Sequence, residues 1–374
     1  MCGGETSVSD DVSAVSQLDY ELPDGLIAQK PTQRREDART LTVDRAAGAF
    51  RDERIIDLPN RLQPGDLLVL NDTRVVPARI VARRATGGVV RGLFVREESP
   101  GRWRVMLEGS RRLREGETLT TAADARGSVT LHLAEPLGKG DWRVCVEPVE
   151  PADRILDRVG RTPLPPYIHR SSATTERDKR DGDDERETSD RERYQTVYAA
   201  RPGAIAAPTA GLHLTRALLG ALRDKGVEIA FVTLHVGPGT FQPIACERLA
   251  DHVMHEEWYE LNDATASAIR ACRRRDGRVV AVGTTSLRVL EASARSATAE
   301  EVVRSGSATT DLFIRPPYEF AVVDALLTNF HLPRSTLLAL VMAFAGVERT
   351  RRAYQHAIDH KYRFYSYGDA MLIA

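Results

Sequence analysis

Cysteine is scarce: Cys2, Cys145, Cys246 and Cys272 are scattered, with no C-x-x-C pair among them. That excludes a disulfide framework and a thiolate zinc site, and it suits a reducing compartment. Long apolar runs are also lacking. The longest, Leu337 to Gly346, is far short of the roughly 20 residues that span a bilayer and reads as a buried helix. The segment Met1 to Gln17 is rich in Ser, Gly and Asp and has no apolar stretch, so no secretory signal is expected and Cys2 is not a lipidation site. A soluble cytoplasmic chain with a disordered tail over 1–17 is the expectation. Three signatures are missing as well: the phosphate loop G-x-x-x-x-G-K-[ST], a post-strand G-x-G-x-x-G, and a strand–turn–helix G-x-S-x-G. Their absence weighs against an NTPase, a dinucleotide dehydrogenase and an α/β-hydrolase.

What is present is an ordinary globular composition, 42% hydrophobic and 28% charged over 374 residues, which is enough for two cores. Net charge is only −1, yet Arg79 to Arg114 holds ten arginines against Glu97, Glu98 and Glu108. Such a stretch can bind a phosphate backbone, or it can simply guard strand edges.

The chain reads as α/β and multi-domain. From Val76 to Val149 the β-rich runs Ala78–Ala82, Val89–Val95, Trp103–Leu107, Ser128–Leu133 and Trp142–Val146 are separated by turn residues, without a helical period. This predicts a small antiparallel β-barrel over 76–154. Elsewhere helices and strands alternate: a helix capped by Thr215, the strand Val227–His235, a helix near Ala264–Arg274, the strand Arg278–Val282 and a helix opened by Thr284 and Thr285. That order predicts an α/β domain with a mixed, partly parallel sheet, made of 18–75 and 155–374, into which the barrel is inserted. Residues 170–193 carry dense charge of both signs without an apolar face and read as a flexible loop.

Four segments run from an apolar strand into small, polar and ionisable residues: LLVLNDTRVVPAR (67–79), AAPTAGLHLT with TLHVGPGTFQ (206–215 and 233–242), AVGTTSLR (281–288) and LTNFHLPRSTL (327–337). In α/β sheets ligands bind where strands end, because backbone N–H groups are free there and helix N-termini favour anions. His213, His235 and His331 each lie in such a segment, which suggests acid–base chemistry. Gly237 and Gly239 would let the backbone approach a ligand, and Ser335 would either cap a helix or meet an anionic ligand group. His252-x-x-His255-x-Glu257 raises a metal site, but no third ligand is evident and Trp258–Leu261 looks strand-like. No metal is expected.

These segments in order, with IAQKPTQRREDAR (27–39), LPPYI (164–168), RYQTVYA (193–199), DHVMHEE (251–257), VVDALLTNFHLPRSTLLALVMAFAG (322–346) and YRFYSYGDAMLI (362–373), resemble the S-adenosylmethionine:tRNA ribosyltransferase-isomerase family of queuosine biosynthesis. The resemblance runs from about residue 18 to the end. It implies transfer of the ribosyl part of S-adenosylmethionine to 7-aminomethyl-7-deazaguanine at the tRNA wobble position, with rearrangement to epoxyqueuosine and release of adenine and methionine. S-adenosylmethionine would be a consumed cosubstrate, with no further cofactor, and a monomer is expected. By carry-over His235, His331, His213 and Asp72 are the expected catalytic groups. The expected substrate-binding residues are Arg35, Arg39, Arg74, Gly237, Gly239, Thr240, Thr284, Thr285, Asn329, Ser335 and Asp369. Arg111, Arg112 and Arg114 are expected to meet tRNA. The chain departs from the family at Arg91, where a glutamate is usual, and at Arg315-Pro316-Pro317 in place of Tyr-Pro-Gly. A non-catalytic RNA-binding module and an S-adenosylmethionine-dependent methyltransferase are the alternatives. The first leaves the strand-end clusters unused, and the second normally carries a Gly-rich loop after its first strand.

Overall fold

The computed structural model describes residues 13–121, 127–169, 187–237, 239, 243–298 and 301–374. In chain order the sheet-forming start is β1 (Arg39–Val43), β2 (Phe50–Arg54), β3 (Leu67–Asn71) and β4 (Thr73–Val75). The barrel strands follow: β5 (Arg79–Arg84), β6 (Val89–Ser99), β7 (Arg102–Leu107), β8 (Thr118–Thr121), β9 (Thr130–Gly138) and β10 (Asp141–Glu147). Next come α1 (Ala152–Val159), α2 (187–193), β11 (Arg201–Ala204), α3 (Arg216–Asp224), β12 (Glu228–Leu234) and β13 (Glu257–Leu261). The chain closes with α4 (Asp263–Arg274), β14 (Val279–Val282), α5 (Thr284–Arg295), β15 (Gly306–Thr310), β16 (Ala325–Asn329), α6 (Thr336–Ala345), α7 (Val347–Asp359) and β17 (Ala370–Ile373).

Nine strands form a mixed sheet in the order β15-β13-β12-β3-β14-β16-β17-β1-β2. Its centre, β12-β3-β14-β16, is parallel throughout, while β17 runs against β16. The middle strands are continuous apolar runs (LLVL in β3, VVAV in β14) because both faces are covered, so no polar alternation survives. Side-chain caps begin three of the helices: Thr215 accepts from Leu218 N (3.2 Å), Asn262 from Thr265 N (2.8 Å) and Ser335 from Leu338 N (3.2 Å).

Six antiparallel strands close the barrel in the order β10-β7-β6-β5-β8-β9. Buried and exposed residues alternate along β5, β7 and β10, as a packed barrel interior requires. Trp103 sits fully buried inside it, edge-on to Phe94 with ring centroids 4.9 Å apart. The sequence reading had five strands; the sixth, β8, is a four-residue TLTT segment with little apolar signal.

Two expectations need correction. The tail expected over 1–17 is shorter. Val15 and Leu18 are buried in the main core, and Val15 N donates to Glu247 O (2.9 Å), so this stretch is pinned by an apolar pair. Residues 1–12 lie outside the described residues. Of the loop expected over 170–193, residues 170–186 likewise lie outside them, whereas 187–193 form α2.

Candidate functional site

Parallel neighbours β12, β3, β14 and β16 end on one edge of the sheet, which gathers Asn71, Asp72, Thr73, His235, Thr284, Thr285, Asn329 and His331. Fully buried Asn71 pins this edge. Its Oδ1 accepts from Thr73 N and Leu234 N (both 3.1 Å), and its Nδ2 donates to Leu234 O and Thr285 Oγ1 (both 3.1 Å). The side chain thus ties β3, β12 and the start of α5 together. It was not among the expected site residues, because an asparagine after an apolar run reads equally well as a turn. Thr285 serves this network, and Thr284 is buried at the head of α5.

His235 is half-buried, its ring stacked on Trp258 (centroids 4.9 Å, 23°). Nδ1 lies 2.8 Å from the Thr73 hydroxyl, which also lies 3.5 Å from Arg201 O. A hydroxyl can either donate to Nδ1 or accept from it, so this contact supports both neutral tautomers and leaves Nε2 as proton donor or acceptor. Burial, reinforced by the Arg201 cation, holds the imidazole below its ordinary pKa and so neutral near pH 7. A Cβ on Gly203 would come within 2.6 Å of His235 Nε2, so only glycine fits against that edge of the ring. Alongside, burial pushes the Asp72 carboxyl above its usual range, opposed by the Thr233 hydroxyl donating to Oδ1 at 2.6 Å.

The other two histidines differ. His213 Nε2 accepts from Asn329 Nδ2 (3.1 Å), and His331 Nε2 lies 2.8 Å from Thr328 Oγ1. Both are buried, and burial lowers each to about 3, helped at His213 by the Arg363 and Arg35 cations. They stay neutral across the physiological range, and the structure separates them from the accessible His235. An open cleft around His331, which the strand-end pattern suggested, is not found: Tyr354 Oη accepts from its backbone N (3.0 Å) and closes the surroundings.

Three expected ligand-binding side chains are occupied by the fold itself. Ser335 Oγ caps α6 while donating to Leu332 O (2.7 Å). Asp369, buried, accepts from Arg39 N (3.0 Å) and Arg363 N (2.8 Å), which orients the entry to β17. The Arg39 guanidinium donates to His360 O (2.7 Å) and stacks on Tyr362 at 3.7 Å, a structural engagement that leaves little for a ligand. Asn329 Nδ2 also donates to Tyr365 O (3.1 Å), while its buried Oδ1 has no hydrogen-bond partner among the described residues.

Arg35 and Arg74 share a groove of about 530 Å³ with Arg191, Arg216 and Gln195, so they do face a common space. A second cavity, about 370 Å³, is lined by Gly239, an expected substrate-binding residue, with His252, His255, Glu257 and Arg288, which were not expected there, against an apolar wall of Leu312, Phe313 and Leu340. There the buried Arg288 and Glu257 form an ion pair, and Glu257 Oε1 accepts from Gly237 N (3.0 Å), fixing the loop after His235. Arg288 ends the quoted AVGTTSLR segment, one helical turn into α5; that spacing was the available signal. His252 and His255 gather no third metal donor among the described residues. Thr240 lies outside the described residues. Arg111, Arg112 and Arg114 are exposed at the turn between β7 and β8 and pair with no carboxylate among the described residues, unlike the strand arginines Arg84, Arg104 and Arg143.

Residues 15–373 match the family model described as queuosine biosynthesis protein. The chain belongs to the queuosine biosynthesis protein family. Within that family it is 47% identical over 361 residues to S-adenosylmethionine:tRNA ribosyltransferase-isomerase of Citrifermentans bemidjiense, covering 96% of this chain and 99% of the relative. The enzyme of the same name from Trichlorobacter lovleyi is 45% identical over 359 residues, with 96% and 99% coverage. Among solved structures, the crystal structure of S-adenosylmethionine tRNA ribosyltransferase from Thermotoga maritima matches with a TM-score of 0.53 and 33% identity, covering 96% of this chain and all of that one.

Proposed function

We propose that the chain moves the ribosyl unit of S-adenosylmethionine onto 7-aminomethyl-7-deazaguanine at the wobble position of tRNA and isomerises it, giving epoxyqueuosine-tRNA, adenine and methionine. The observation that carries this reading is the 47% identity across 96% of the chain to a relative bearing that activity in its name. The local chemistry agrees with it. The sulfonium acidifies the neighbouring ribose carbon, so a neutral base can remove a proton there, and departing adenine needs a proton. His235, half-buried and held neutral, fits the first task and, after protonation, the second. Asp72, whose carboxyl is raised by burial, lies at the same strand-end edge as a second candidate proton carrier.

The α/β part, 18–75 with 155–374, would hold S-adenosylmethionine and the reacting base, and the barrel over 76–154 would hold tRNA. Arg35 and Arg74 face a groove that holds Arg191 and Arg216 together with Asp153, Asp157 and Glu192, and the exposed Arg111, Arg112 and Arg114 on the barrel would supply the main phosphate contacts. The enzyme would act as a cytoplasmic monomer without cofactor or catalytic metal. The described residues contain no helix long and apolar enough to cross a membrane. The test is product analysis with S-adenosylmethionine and tRNA bearing the deazaguanine, in the presence of chelator. Adenine and methionine in equal amounts are expected. S-adenosylhomocysteine would show methyl transfer instead, absence of either would show a binding module, and zinc-restored turnover would overturn the metal-free reading.

A further inference from the structure

On the opposite side of the sheet from β12, the edge strand β2 faces the end of α7 and brings together Asp52, His356 and His360. Ligand atoms of all three lie within 4.8 Å of one another. His356 and His360 are four residues apart, one above the other on α7, with rings stacked at 3.9 Å and 19°. His360 Nδ1 lies 2.8 Å from His356 O. A carbonyl only accepts, so Nδ1 carries the proton and Nε2 keeps its lone pair, which is the tautomer metal-binding histidines are held in. His356 Nε2 lies 3.1 Å from Asp52 Oδ2, close to the separation of roughly 3.4 Å between donors on a tetrahedral zinc ion. Tyr362 Oη donates to Asp52 Oδ1 (2.6 Å), orienting the carboxylate, and His356 Nε2 lies 3.2 Å from that same oxygen, so both carboxylate oxygens face His356. The site also lies at the C-terminal end of a 13-residue helix, where the helix dipole favours a cation. One feature opposes it: the Arg39 guanidinium lies 3.4 Å from Asp52 Oδ1.

We propose that Asp52, His356 and His360 form a binding site for a borderline divalent cation such as zinc, separate from the reaction site. Two imidazoles and one carboxylate select zinc, nickel or copper over magnesium and calcium, which prefer all-oxygen shells. Asp52 and His360 are exposed and His356 is half-buried, so water completes the coordination and the ion exchanges with solvent. The site lies three strands beyond β16 in the sheet, so its role is to clamp β2 onto α7 rather than to take part in ribosyl transfer.

The experiment titrates the full chain, stripped with chelator, with zinc chloride alone in a calorimeter, followed by melting curves with and without zinc. One equivalent should bind and raise the melting temperature. His360→Ala and Asp52→Asn should each weaken zinc binding at least about 10-fold and abolish the thermal shift, as expected for loss of a ligand. The His360 side chain is exposed, so His360→Ala should melt in chelator like the wild type, whereas Asp52→Asn, which alters the bond from Tyr362, should melt slightly lower; if one variant fails to fold, the other still decides. No zinc uptake up to millimolar concentration would overturn the proposal, as would undiminished uptake in both variants, which would point to His252 and His255. None of these readouts involves adenine or methionine, so the proposal and the assigned reaction fail independently.

Discussion

The ends of β12 and β16 each place a histidine beside a threonine hydroxyl, at 2.8 Å in both cases, and burial alone makes them different. At β12 the ring is half-open, stacked on Trp258, and turned toward a glycine that yields space. At β16 the ring is buried, with Tyr354 bonded to the backbone N of the same residue, and it is held neutral far below its ordinary pKa. The same two residue types thus give one half-open ring and one buried ring, both neutral near pH 7. What separates them is the layer outside the sheet: Gly203 in β11 faces one, and α7 with its Tyr354 covers the other.

The comparison is broken most sharply at the open end. His235→Ala should lower turnover by about 100-fold or more, with the melting temperature little changed. Gly203→Ala should do comparable damage while leaving His235 in place, because its Cβ would press on Nε2 and its φ of +150° suits glycine. Steady-state kinetics beside melting curves on both variants give the answer. Near-wild-type turnover in His235→Ala would remove that residue from the reaction. The matching change at the closed end, His331→Ala, should instead appear mainly as lost stability, about 1–3 kcal/mol, from stranding Thr328 and opening a cavity.

A smaller effect sharpens the same contrast through pH. His213 and His331 have folded pKa values of about 3, against 6.5 for the free side chain. Above pH 6.5 neither state binds the proton, and their contribution to stability is fully present. As pH falls from 6.5 toward 3 the unfolded chain takes up protons that the folded one refuses. Stability should then drop by up to about 1.4 kcal/mol per pH unit for each histidine. Urea midpoints across that range test it, and His331→Gln should show a shallower fall. An identical slope in that variant would mean the site is wetter than its burial indicates.

The mildest prediction concerns the barrel, where the strand arginines Arg84, Arg104 and Arg143 are paired with carboxylates while the turn arginines have no such partner among the described residues. Replacing Arg111, Arg112 and Arg114 with Glu should weaken tRNA binding. It should also flatten the salt dependence by about one unit per lost phosphate contact, with S-adenosylmethionine binding unchanged. Affinity titrations at several salt concentrations check this; an unaltered slope would show that the three are only solvated charges.

Much of this arrangement was legible in the sequence. The barrel was legible in β-rich runs between turn residues, such as Val89–Val95 and Trp142–Val146, and the partly parallel sheet in the alternation of helices and strands. Thr215, Thr284 and Leu337–Gly346 marked helices where helices stand. The strand-end rule gathered Asp72, His235 and Asn329 onto one edge. Long-range relations were not legible. The burial of His331 depends on Tyr354, the Arg288–Glu257 pair joins residues in different elements, and Asp369 is set by backbone groups of Arg39 and Arg363. Local periodicity says where a strand ends; it does not say which distant side chain will cover that end.

The position of β17 has a consequence for how the molecule is made. Residues 370–373 lie between β16 and β1, so the hairpin of β1 and β2 has no neighbour in the sheet until they arrive. Until then one face of Leu41 and Val43 stays uncovered, while the barrel can close from six strands that all lie within residues 79–147. The nine-stranded sheet therefore depends for its completion on its most non-local pairing, that of β1 with β17.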